Sequence, residues 1–149
     1  MIAMRIRPKS NYLHTADWQD LYILTEHWQS DLNFYADELH FLEELISKYF
    51  LLMTKKESLS AVQEIVVKIN KLTKSNKDLS ERIKHHLTNL GLLKEFTFSQ
   101  NEANFRSGHE VLEDDIVAYI IDFRAVKKEV FTIAKEVLKS EKNKHLLTA

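Results

Sequence analysis

Two histidines of this chain each precede an acidic residue by four positions, and this is the pattern in the sequence best suited to chemistry. The two pairs are His27 with Asp31 and His109 with Glu113. On a helix, residues four apart lie on the same face, so each pair can direct a nitrogen and an oxygen at one point. Fe, Mn and Zn bind such mixed ligand sets. With His86 as a third imidazole, the pattern predicts a transition-metal site as one possible function.

The first pair belongs to a longer polar stripe, Asp20, His27, Asp31 and Glu38, with steps of seven, four and seven residues. The stripe falls within an otherwise apolar face. Buried carboxylates are costly unless they are paired, hydrogen-bonded or bound to a metal. Three interpretations therefore stay open: a metal site, polar groups that satisfy one another or specify the helix register, and a small-molecule pocket at that end of the bundle. The groups available for the second are Trp28, Tyr35 and Asn76.

Other catalytic signatures are missing from the sequence. Ferritin-like di-iron bundles carry Glu-x-x-His motifs, and the nearest match here is Asp37-x-x-His40, which the helical projection places on the outer face. The chain also lacks the P-loop, the zinc-protease motif and the nucleophile elbow. We therefore predict no catalytic residue and no required cofactor, with Fe, Mn or Zn as the alternative.

The elements that position these residues are predicted to be helices. The 149 residues include only two Gly and one Pro, and neither type occurs between Pro8 and Gly91 or after Gly108. Turn-rich sheets and barrels need many more of both. Apolar residues recur every three or four positions over 17–53, 55–90 and 107–142, which predicts three long helices after an N-terminal arm at 1–15.

The predicted ends of the helices rest on capping signals. Gly91 is placed as the residue that terminates helix two, and a capping box beginning at Ser107 opens helix three. A capping box at Thr54 opens helix two, with Ser58 and Ser60 as alternatives. A single continuous helix of about 75 residues is the other alternative. Residues 92–106 form an aromatic connection, for which Phe96, Phe98 and Phe105 favour packing.

Three such helices predict an all-α, up-down-up bundle and one domain over 1–149. In that topology the start of helix one, the end of helix two and the start of helix three share an end. This would bring His27, His86 and His109 together. Charge supports the pairing of helices one and two, because 17–53 holds eight acids and one Lys whereas 54–91 holds eight basic residues and four acids.

Helix one is apolar over about half of its circumference, more than one neighbouring helix covers. The surplus is a strip formed by Phe34, Phe41, Leu45 and Leu52. We expect the strip to contact either the aromatic connection or another subunit, because exposed apolar strips of this kind are typical of protein interfaces. The main functional prediction is therefore a non-enzymatic protein that acts by binding another protein or a second copy of itself.

Composition and charge make other partners and locations unfavourable. The chain carries 21 Lys and Arg against 22 Asp and Glu, a net charge of −1, which gives no basic surplus for nucleic acid. No apolar run approaches the length of a membrane span, and the first residues lack a signal peptide. There is no Cys and hence no disulfide. The missing signal peptide alone predicts a cytoplasmic protein, since absence of Cys fits any compartment; the charge and the short apolar runs predict no nucleic-acid and no membrane partner.

Overall fold

Three helices make up the structure of this protein, as predicted. The computed structural model describes residues 16–95 and 102–148, with the side chains of 16–92 and 104–143. Helix α1 spans Trp18–Lys56, α2 spans Leu59–Glu95 and α3 spans Glu102–Thr148. The described part of the chain has no strand. The protein is an all-α three-helix bundle. The predicted N-terminal arm lies outside the described residues.

The start of α1 is fixed by an aspartate cap. Asp17 precedes the helix, and its Oδ1 accepts a hydrogen bond from the backbone N–H of Asp20 at 2.8 Å. This satisfies one of the amides that have no partner within a helix's first turn. The negative charge also lies at the positive end of the helix dipole.

The break between α1 and α2 is a turn at Glu57 and Ser58, so the continuous helix is excluded. Ser58 Oγ accepts a hydrogen bond from the backbone N–H of Ala61 at 3.1 Å, which makes Ser58 the N-cap of α2. Thr54 does not cap: its hydroxyl donates to the carbonyl oxygen of Leu51 within α1. Of the predicted N-cap candidates Thr54, Ser58 and Ser60, the structure confirms Ser58.

The predicted end of helix two at Gly91 is wrong. Gly91 lies inside α2, which continues to Glu95, and neither glycine of the chain has a positive φ. Glycine permits the left-handed conformation that ends a helix but does not require it. Helix α3 likewise begins at Glu102, before the predicted start at Ser107, and extends past 142.

The connection is therefore shorter than the predicted 92–106. Phe105 belongs to α3, whereas Phe96 and Phe98 fall within 96–101, outside the described residues. The aromatic packing expected of this segment is confirmed for Phe105. Its ring lies edge-on to that of Trp18, with centroids 5.3 Å apart.

Contacts divide the described chain into two units, each built from a segment of all three helices. The first draws on 16–34 and 75–120, and the second on 35–74 and 121–148, so far as these are described. Apolar side chains at three- and four-residue steps form the core of each. In the first unit they include Leu21, Trp28, Leu32, Ile83, Leu90, Leu112 and Ile116; in the second, Leu39, Leu42, Met53, Val62, Ile69, Phe123 and Val130.

Side-chain contacts give the helix directions within each unit. In the second unit, Tyr35 contacts Phe123 and Phe41 contacts Phe131, so numbers rise together and α1 is parallel to α3. In the first unit, Leu21 packs with Leu90 and Asn76 bonds to the carbonyl of Leu32, so α1 and α2 are antiparallel. This is the up-down-up order that the sequence predicts.

Candidate functional site

A buried asparagine joins the three helices of the first unit. Asn76 on α2 donates through Nδ2 to the carbonyl oxygen of Leu32 on α1 and to the hydroxyl oxygen of Tyr119 on α3, both at 2.9 Å. Asn76 is buried, so each bond compensates for the loss of water. The contacts fix how far each helix can slide along the others.

The most unusual polar group in this unit is a pair of buried histidines. His86 Nε2 on α2 and His109 Nδ1 on α3 lie 2.8 Å apart, within hydrogen-bond distance. His86 is 8% exposed and His109 is 0% exposed. One neutral ring must donate and the other accept, because two protonated rings would place two N–H groups against each other.

Aromatic rings cover both histidines. The ring of Phe105 stacks on that of His86, with centroids 4.6 Å apart and an angle of 11°. On the other side, Trp28 of α1 packs against His109 at 4.8 Å. These rings exclude water and offer no countercharge, so the site favours uncharged imidazole.

This burial lowers the pKa of both histidines. Burial lowers the pKa of His86 to about 4, with a smaller contribution from the charge of neighbouring His85. Burial also lowers the pKa of His109 to about 3, helped by the charges of His86 and Arg106. Both rings are therefore neutral at physiological pH, which is the form that makes the hydrogen bond.

A groove of about 490 Å³ opens beside His86 in the first unit. Phe105, Gly108 and Leu112 line one side, and Arg82, His85 and Asn89 are among the residues of α2 that line the other. A side chain at Gly108 would meet nothing within 4 Å. Arg82 pairs with Asp115 of α3 at 2.8 Å, and Asp78 and Glu81 add two carboxylates to the lining.

The predicted metal ligands meet only in part. His86, His109 and Glu113 are buried, and the two histidines meet through a direct hydrogen bond. His27 is exposed and Asp31 is half-buried. Within the parts of the chain whose side chains are described, no three His, Asp or Glu groups are arranged to hold a metal ion. The metal hypothesis therefore gains no ligand cluster from these residues.

The polar stripe lies at the edge of the α1 core face, not within it. Asp20 is exposed like His27, while Asp31 and Glu38 are half-buried. Burial raises the pKa of the Asp31 carboxyl, and the charge of His27 opposes this shift. Glu38 accepts two hydrogen bonds from Lys127 Nζ on α3, at 2.8 and 3.0 Å. Lys127 is thus the polar partner that the partly buried carboxylate of Glu38 requires.

Next to this ion pair, two phenylalanines form an exposed aromatic contact in the second unit. The rings of Phe41 on α1 and Phe131 on α3 are 6.4 Å apart between centroids. They remain 52% and 40% exposed. Lys127 Nζ also lies 5.9 Å from the Phe131 ring centroid. The ion pair and the aromatic contact together join α1 and α3 along one surface of this unit.

The other residues of the predicted strip are distributed as follows. Leu45 and Leu52 on α1 are half-buried and belong to the second unit with Phe41. Phe34 is 59% exposed and belongs to the first unit. On α3, Leu138 is exposed and lies seven residues after Phe131, hence on the same face. We call Phe41, Leu45, Leu52, Phe131 and Leu138 the α1–α3 strip.

Charges of opposite sign border the α1–α3 strip. On α1, Asp37 and Glu44 are exposed and lie four residues before and three after Phe41. Lys128 and Lys135 on α3 are exposed and lie three residues before and four after Phe131. Residues at these spacings are surface neighbours on a helix. The strip thus has an acidic edge, Asp37 and Glu44, and a basic edge, Lys128 and Lys135.

Some features of both sites were not predicted from the sequence. Tyr119 was assigned only to the apolar pattern of helix three. Phe131 and Lys127 were not assigned a role. Thr25 is fully buried and donates to the carbonyl oxygen of Leu21. The contact between Phe41 and Phe131 depends on the offset between parallel α1 and α3, which the pattern of a single helix does not give.

In comparisons with known proteins, no family model, no curated protein and no solved structure matches this chain. The described helices include none that is long and apolar enough to cross a membrane.

Proposed function

We propose that this protein acts by binding another protein through the α1–α3 strip and has no catalytic role. The observation that supports this is the contact between Phe41 and Phe131, two rings that meet and remain about half exposed. Burying apolar surface contributes about 25 cal/mol per Å², so leaving two adjacent aromatic rings in water forgoes stability that a partner can supply. Aromatic side chains are also enriched among the residues that dominate binding energy.

The shape of the strip favours a helical partner. It lies along two parallel helices, and helices bind such surfaces with side chains at three- and four-residue spacing. Because Lys127 and Glu38 hold the two helices together beside Phe41, the surface is formed before a partner arrives. Binding then costs little ordering of the protein itself.

The experiment compares Phe41→Glu with Val67→Glu. Val67 on α2 is 61% exposed and lies outside the strip, so it controls for adding a charge to an exposed apolar position. Each protein that co-purifies with the chain is then purified, and its affinity for the wild-type chain and for both variants is measured by calorimetry. We expect affinity to fall at least about tenfold for Phe41→Glu and to stay unchanged for Val67→Glu. Equal binding by both variants would rule out the strip.

A further inference from the structure

We infer that the partner on the α1–α3 strip is a second copy of this chain, placed so that α1 of each copy faces α3 of the other. The inference rests on the proposed function, because it assigns an occupant to the same surface. It depends on the charges that border the strip.

Each edge of the strip carries its own sign. Asp37 and Glu44 make the α1 edge acidic, and Lys128 and Lys135 make the α3 edge basic. The charges nearest the middle cancel, because Glu38 and Lys127 bind each other. The acidic edge ends at Glu44, because the next exposed charge along it, four residues later, is the positive charge of Lys48. A matching partner must therefore be basic opposite α1 and acidic opposite α3.

An anionic lipid surface or a nucleic acid matches only half of this pattern. Either would attract the α3 edge and repel the α1 edge. A second copy carries both signs at the correct separation, because its own strip has the same two edges. Arranging opposite potentials across an interface is how partners and orientations are selected.

Charge also selects one of two symmetric arrangements. A two-fold axis perpendicular to the helices would place α1 against α1 and oppose acid to acid and base to base. With the axis parallel to the helices, α1 of each copy lies against α3 of the other, and both edges meet their complement. An isologous interface of this kind repeats each contact twice.

The helix register then identifies the pairs. Within one copy, Glu38 is level with Lys127 and Phe41 with Phe131. An axis parallel to the helices preserves these levels. Asp37 of one copy therefore comes close to Lys128 of the second copy, and Glu44 comes close to Lys135 of the second copy, while the exposed phenylalanines lie between them.

The experiment is a charge exchange followed by sedimentation velocity over micromolar concentrations. The wild-type chain and Val67→Glu are expected to dimerise, and Phe41→Glu to be a monomer. Reversing the acidic edge with Asp37→Lys and Glu44→Lys should weaken the dimer at least about tenfold, because two pairs per copy become repulsive. Adding Lys128→Glu and Lys135→Glu to that variant should restore dimerisation, since the edges are again complementary.

The outcomes that overturn the inference differ from those that overturn the proposed function. A wild-type chain that stays monomeric at all concentrations refutes the second copy, whereas the proposed function fails if Phe41→Glu leaves partner binding unchanged. If the variant with all four charges reversed does not dimerise again, the α1-on-α3 arrangement is refuted. Binding of the monomer to vesicles of anionic lipid, lost in Phe41→Glu, would identify a lipid surface and overturn both.

Discussion

Acidification should destabilise this protein mainly through the buried pair of His86 and His109. Both pKa values are lowered in the folded chain, to about 4 and about 3. In the unfolded chain, histidine has a pKa of about 6.5. The unfolded state therefore binds more protons than the folded state below pH 6.5. The stability from the neutral pair is present above that pH and is lost as the pH falls.

The size of the effect follows from the proton difference. At pH 5 the unfolded chain holds nearly one proton on each of these histidines, while the folded chain holds almost none. Integrating the difference from pH 7 to pH 5 gives a loss of about 4 kcal/mol in the free energy of unfolding. For a chain of this size that corresponds to a fall of roughly 8–16 °C in Tm. Raising the pKa of Asp31 has the opposite sign and reduces the loss at the acid end.

The assay is thermal unfolding followed by circular dichroism at pH 7, 6 and 5. Its test variant replaces both histidines by Phe, and a second replaces both by Gln, which can still hydrogen-bond but does not titrate. The control is His40→Ala, because His40 is exposed and bonds only to neighbouring acids on α1 in the described structure. Most of the fall in Tm should disappear in the double variants and persist in the control. An undiminished fall in both double variants would refute the assignment to this pair.

Three further sets of substitutions test the fold. Asn76→Ala should cost about 1–3 kcal/mol by removing two buried hydrogen bonds. Tyr119→Phe should cost about 1 kcal/mol, and a double-mutant cycle in chemical denaturation will show coupling if the two side chains interact as described. Ser58→Ala should cost about 1 kcal/mol through loss of the α2 cap, whereas Ser60→Ala should cost little, and equal losses would contradict the assignment of the cap. Gly91→Ala should add about 0.5–1 kcal/mol of stability, because the residue is helical and a Cβ meets nothing within 4 Å; a loss of stability would show a left-handed conformation instead.

The sequence was sufficient to predict the helices because a period of three to four residues is a strong local signal. Scarcity of Gly and Pro excluded the competing folds, and the up-down-up order followed from three helices of similar length joined by one short and one medium connection. The end of α2 was not predictable in the same way. Gly91 is compatible with both a helix terminus and a helix interior, so its residue type alone does not distinguish them.

Burial at the candidate sites depended on register, which is a property of two helices at once. The prediction brought His86 and His109 to one end, and the structure pairs them there. It also placed His27 in the same cluster, although this residue is exposed on the flank of α1. A projection of one helix shows which residues share a face, but the neighbouring helix decides where that face becomes surface.

The hydrogen bond between the two buried rings links their tautomers. If His86 carries its proton on Nε2, then His109 Nδ1 must be bare and the remaining proton of His109 lies on Nε2. If His109 instead carries its proton on Nδ1, the proton of His86 moves to Nδ1. Each ring therefore reports the state of the other, and nitrogen chemical shifts measured on one imidazole will identify the donor in both.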